Sequence, residues 1–147
     1  MIETLKALFY RDLTRLKTEI ELYPNENDIW KTQKGISNSA GNLCLHLIGN
    51  LNTYIGNVIG KTNYIRNREL EFSSKDISKS ELIKKIEETI IVVNISLDMV
   101  SEKELKMEYP ILVLAEKTST EFLLIHLTTH LNYHLGQINY HRRLLND

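Results

Sequence analysis

The chain has 147 residues, of which 42% are apolar, with a formal net charge of −1 and one cysteine. That length and apolar content suit a single domain, 1–147, with one core. The near-neutral balance argues against nucleic acid or an anionic membrane as partner, and a single thiol excludes an internal disulfide framework.

Met1 runs straight into an amphipathic pattern with no signal peptide, and no apolar run approaches bilayer-spanning length. A soluble, cytoplasmic protein in a reducing compartment is expected. The first helix is predicted from about Ile2 to Leu22, because Ile2, Leu5, Phe9, Leu13, Leu16 and Ile20 step by three or four. Lys6, Arg11, Arg15 and Lys17 take its wet side. Tyr23-Pro24-Asn25-Glu26-Asn27 ends it, and Asp28-Ile29-Trp30 reads as a short helical turn with Trp30 packing rather than binding.

The loop Lys34 to Ser39 offers several N-caps for a second helix over about Ala40 to Ile59. Leu43, Leu47, Leu51, Tyr54, Ile55 and Val58 form its apolar side, and Gly60-Lys61 closes it. His46 lies off that stripe, with Asn42 and Asn50 one turn to either side. An Asn-His-Asn row reads as one metal ligand with amide neighbours that bind substrate or order the ring. Cys44 is about 200° from His46 around the helix, so the two cannot share an ion, and Cys44 reads as a small core residue.

Residues 61–77 form a long connection carrying Arg66, Arg68, Glu69 and Glu71. Ser78 to Glu81 reads as a capping box, with Ile77 and Leu82 as its hydrophobic staple. The third helix continues to about Val100 on Leu82, Ile86, Ile90, Val93, Leu97 and Val100. A second connection, 101–117, holds a possible helical turn at Glu102 to Lys106, a break at Tyr109-Pro110 and an apolar tail over 111–114. Thr118 to Glu121 reads as another capping box, opening a fourth helix that runs to Asn146. Arg142 and Arg143 stand where the helix dipole favours cations. Four long helices with no hairpin or βαβ pattern predict an all-α four-helix bundle.

The fourth helix carries the chemistry. It holds His126, His130, His134 and His141, four of the five histidines. The first three are spaced i, i+4, i+8 and fall in one row, with Gln137 and His141 within about 80° of His126. Neighbours on that row are about 6 Å apart along the axis, so His126/His130 and His130/His134 are both candidate metal pairs, and spacing does not choose between them. A third ligand must come from elsewhere, and the remaining histidine is His46. Three neutral imidazoles would leave a coordination position open for water or substrate. Imidazoles alone discriminate poorly among zinc, nickel, iron and manganese; zinc or nickel is the first expectation, with iron or manganese as alternatives. Glu-x-x-His and His-Glu-x-x-His are absent, which argues against a di-iron bundle and a zincin protease. No P-loop, Gly-x-Ser-x-Gly or Gly-x-Gly-x-x-Gly occurs either.

The run His130-Leu-Asn-Tyr-His134-Leu-Gly-Gln-Ile resembles the His-x-x-x-His-x-Gly-Gln-Ile signature of DinB-like proteins, the YfiT-like metalloprotein superfamily. Asn42-Leu-Cys-Leu-His46-Leu-Ile-Gly-Asn50-Leu is similar to that superfamily's second-helix motif. Arg66-Asn-Arg68-Glu-Leu-Glu71-Phe72 and Tyr140-His141-Arg142-Arg143 resemble one of its branches. The resemblance implies an up-down-down-up bundle, often dimeric, with a three-histidine divalent site. It selects His46, His130 and His134 as ligands. Asn42, Asn50, His126, Gln137 and His141 then line the pocket or stand behind the ligands. It also implies a small-molecule substrate and thiol-dependent transfer, using bacillithiol, mycothiol or glutathione. A metal-dependent hydrolase and a non-catalytic, stress-related metal protein are the other expectations.

Overall fold

The structure is a computed structural model that describes residues 1–146; Asp147, the end of the expected domain, lies outside them. Among the described residues there are six α-helices and no strand: α1 (Ile2–Glu21), α2 (Ala40–Leu51), α3 (Arg68–Ser73), α4 (Lys79–Asp98), α5 (Glu102–Lys106) and α6 (Thr120–Leu145). A 3-10 turn at Glu26–Trp30 follows α1, and a π-helical segment, Asn52–Asn57, prolongs α2.

Side-chain pairs fix how the long rods run. Lys6 meets Asp98 and Lys17 meets Glu87, so α1 and α4 are antiparallel. Asp12 accepts from Asn132 and Glu19 from Asn139, so α1 and α6 are parallel. Asn52 bonds Thr89, and Gly56 and Gly60 approach Val92 and Ser96, so α2 and its extension run parallel to α4. The order is therefore up-down-down-up. Each of α1 and α2 touches both α4 and α6. Leu5, Phe9, Leu13, Leu16 and Ile20 of α1 are buried with Leu82, Ile86 and Leu97 of α4 and Leu124, Leu127 and Leu131 of α6. The 3.6-residue repeat of these side chains is what made the rods readable.

The second helix is less regular than the expected rod over 40–59. Asn52 and Thr53 bond back to the carbonyls of Ile48 and Gly49, the local competition that loosens a helix. Backbone bonds then lengthen to Val58 N–Thr53 O and Gly60 N–Ile55 O. The Tyr54 carbonyl accepts instead from the buried Tyr109 hydroxyl at 2.6 Å, which ties the 101–117 connection to the rod. Lys61, at φ 56°, makes the left-handed turn that ends the segment. Gly60 serves a different need: a Cβ there would lie 2.0 Å from Ser96 Oγ.

Two caps differ from expectation. Ser78 does accept from the Glu81 amide at 3.2 Å. The last helix is capped by Ser119, which accepts from Phe122 N at 3.1 Å, rather than by Thr118. A complete capping box forms between Ser101 and Glu104, at the start of α5. Trp30 packs, as expected, its ring lying on Gly41 and its indole N–H donating to Ile77 O. No helix among the described residues is long and apolar enough to cross a membrane.

Candidate metal centre

His46 reaches the site from the middle of α2, and His130 and His134 reach it from the facing turns of α6. Ser39 sets the register of α2 by accepting from the Asn42 amide at 3.1 Å, and His46 follows one turn after Asn42. The Nε2 atoms of His46 and His130 are 3.2 Å apart. The ring centroids of His46, His130 and His134 stand 5.1, 5.3 and 4.6 Å from one another, each pair edge-on. One nitrogen from each ring lies within 4.8 Å of the others, so the three could hold a metal ion. No fourth protein ligand joins the group among the described residues.

Two of the three rings have their far nitrogens engaged by oxygens. His46 Nδ1 is 3.1 Å from Glu71 Oε1, and His134 Nδ1 is 2.7 Å from Gln137 Oε1. An oxygen acceptor at Nδ1 requires the proton there and leaves Nε2 as a lone pair. His130 Nδ1 is buried and has no partner among the described residues. The lone pair of His46 Nε2 faces His130 Nε2 at a separation that two ligands of one ion adopt. The donor set therefore fits a borderline divalent cation.

Burial, then the neighbouring rings of His134, His46 and His126, push the His130 imidazole down to about 4. His134 is lowered too, chiefly by burial, with the Gln137 bond opposing. Neutral rings are the form that ligates metal. Burial alone would raise the Glu71 carboxyl, but hydrogen bonds from His46 and Arg66 outweigh it and hold the group below its usual range.

The ambiguity left by spacing is resolved in space. His134 joins His130 and His46, while His126 stacks on His130 at 6.2 Å and is not one of the group. Gln137 stands behind His134, its Oε1 on His134 Nδ1. Asn42 does not order the His46 ring: its amide donates to the carbonyls of Glu71 and Ser74, pinning α3 onto α2. Asn50 is buried, and its Oδ1 has no hydrogen-bond partner among the described residues. His141 lines a cleft beside His134 and is not one of the three-histidine group. Its Nδ1 accepts from the Tyr23 hydroxyl at 2.7 Å and its Nε2 donates to Lys31 O at 2.8 Å, so both nitrogens are used inside the protein.

Sequence reasoning missed the role of Glu71. Arg66 forks onto it, Nε to Oε2 at 2.8 Å and Nη2 to Oε1 at 2.9 Å. The available signal was Gly49, one turn beyond His46, since a glycine inside a helix often marks a close approach. Phe72 covers His46 at 5.0 Å between centroids. On the other side, a cleft of about 380 Å³ opens against His134, lined by Ile36, Leu43, Tyr133, Gln137, Tyr140 and Leu144 among others.

Fold and site together define an all-α helical bundle with a histidine cluster, drawn from two rods, that could hold a metal ion. The profile of the family described as Protein of unknown function (DUF1572) matches residues 2–147, and the chain belongs to that family. No curated protein matches it.

Proposed function

We propose that this chain is a divalent-metal-dependent enzyme of the DinB/YfiT-like superfamily, with His46, His130 and His134 as ligands and zinc or nickel as the ion. The observation that carries this reading is the 3.2 Å approach of His46 Nε2 to His130 Nε2 beside a cleft. A bound ion would supply Lewis-acid activation of a nucleophile at a position that no ligand among the described residues fills.

The reaction read here is transfer of a low-molecular-weight thiol to a small electrophilic substrate. The cleft beside His134 supports it, being of the size and mainly apolar character of small-molecule sites. Gln137 holds the His134 ring, and Tyr133 and Tyr140 give the cleft aromatic walls. Phe72 packs against the His46 ring. We read the protein as a homodimer, supported by the exposed Phe122 and Ile125 of α6, which do not line the cleft.

The test is turnover by metal-loaded, untagged protein given a chloro-dinitrobenzene electrophile with bacillithiol, mycothiol, glutathione or no thiol. Conjugation should require both metal and thiol, and should vanish in His46→Ala. Ester or amide cleavage without thiol would instead make the protein a hydrolase. No turnover with metal retained would leave a binding protein.

A further inference from the structure

We propose that Glu71 is the positioning residue of the His46 ligand: clamped by Arg66 and admitted by Gly49, its carboxylate holds the ring in the Nδ1–H form with Nε2 turned toward His130 and His134. The consequence for affinity rests on the metal reading; the claim about the ring itself does not.

Four contacts converge on this role. Glu71 Oε1 lies 3.1 Å from His46 Nδ1, and an ionised carboxylate can only accept, so the ring must donate. Arg66 occupies both carboxylate oxygens, which removes the freedom of the carboxylate to rotate away. Arg66 Nη2 is 3.4 Å from His46 Nδ1, which is two donors meeting at one oxygen rather than a bond between them. The Glu71 peptide is itself held, because Asn42 of α2 donates to the Glu71 carbonyl at 3.0 Å. The histidine and the carboxylate that orients it therefore share one support.

Gly49 separates this role from simple neutralisation of Arg66. A Cβ at position 49 would lie 2.0 Å from Glu71 Oε2 and 2.6 Å from its carboxyl carbon. Glycine weakens the middle of a helix, so its presence there has a local cause. An ion pair alone could form anywhere along the exposed connection. Here the carboxylate is buried, against the backbone of the helix that carries His46. A carboxylate on the far nitrogen fixes a ligating imidazole's tautomer and raises its basicity.

The experiment reads the ring directly. In metal-free protein labelled with 15N-histidine, two-bond correlations at pH 8 should show His46 as the Nδ1–H tautomer. Glu71→Ala should turn it into a mixture, and Gly49→Ala, which alters no ligand and favours the helix, should do the same by displacing the carboxylate. Zinc affinity should fall about 10- to 100-fold in both. Glu71→Gln keeps an acceptor oxygen and should restore the tautomer and part of the affinity. Should Glu71→Ala fail to fold, Gly49→Ala carries the decision. One unchanged tautomer in both alanine variants, or zinc affinity equal to the unsubstituted protein's, would overturn the role of Glu71. Failure of the unsubstituted protein to bind zinc would contradict the metal reading instead, and the tautomers would still decide Glu71.

Discussion

The Tyr23 hydroxyl lies 2.7 Å from His141 Nδ1, and this contact ties the turn after α1 to the last coils of α6. The other ring nitrogen reaches the Lys31 carbonyl, so one imidazole joins three segments. Its burial and double use make it a structural histidine. His141→Ala would take the imidazole from the Lys31 carbonyl and leave the buried Tyr23 hydroxyl with the longer 3.5 Å contact to the Ile138 carbonyl. The expected cost is about 1–3 kcal/mol, or roughly 2–4 °C of Tm per kcal/mol at this chain length. Calorimetry should show that loss while zinc affinity stays unchanged.

The row of histidines on α6 divides at His130. His134→Ala and His46→Ala each remove a proposed ligand and should lower zinc affinity by more than the roughly 10- to 100-fold that an outer contact costs. His126 is outside the three-histidine group, and His126→Ala should keep the stoichiometry at one ion per chain. Competition titration with a chromophoric chelator measures all three.

Acid should weaken the metal-free fold through His130. Burial, then the charges of neighbouring rings, holds it at about 4 in the folded chain, against 6.5 for a free imidazole. His134 shifts the same way. Between those values the unfolded chain takes up protons that the folded chain refuses. Stability is therefore complete above about pH 6.5 and declines as pH falls toward 4. Urea midpoints of metal-free protein should drop over that window, and the drop should be smaller in His130→Gln.

Cys44 should be silent. It is fully buried, and burial pushes its thiol up to about 12. A disulfide-exchange reagent should label the native protein at most at the rate of global opening. The same reagent should label it fully in denaturant.

The rods were legible because burial repeats every three or four residues, and α1 and α4 end within two residues of where that repeat stops. Their packing was not legible: the pairs that set direction, such as Asp12 with Asn132, join positions far apart in the chain. Arg142 shows the same limit. Its place near a helix end suggested a dipole effect, yet its Nε also donates to Glu19 of α1 at 2.6 Å. At the site, the row on α6 announced imidazole chemistry; spacing alone left His126 and His134 as alternatives, the resemblance selected His134, and the structure groups it with His46 and His130. Glu71 comes from a short helix inside a connection that has no periodicity, so no pattern aimed it at His46. Asn42 was placed on the correct face but given the wrong partner, because α3 lies between it and open solvent.

His46, His130 and His134 are proposed to share one cation. Anomalous scattering across the zinc, nickel, iron and manganese edges, on crystals of untagged protein, tests it most directly. One peak per chain is expected, about 2.0–2.1 Å from a nitrogen of each of the three rings. Density with no peak there, and water or hydrogen bonds joining the rings instead, would contradict it.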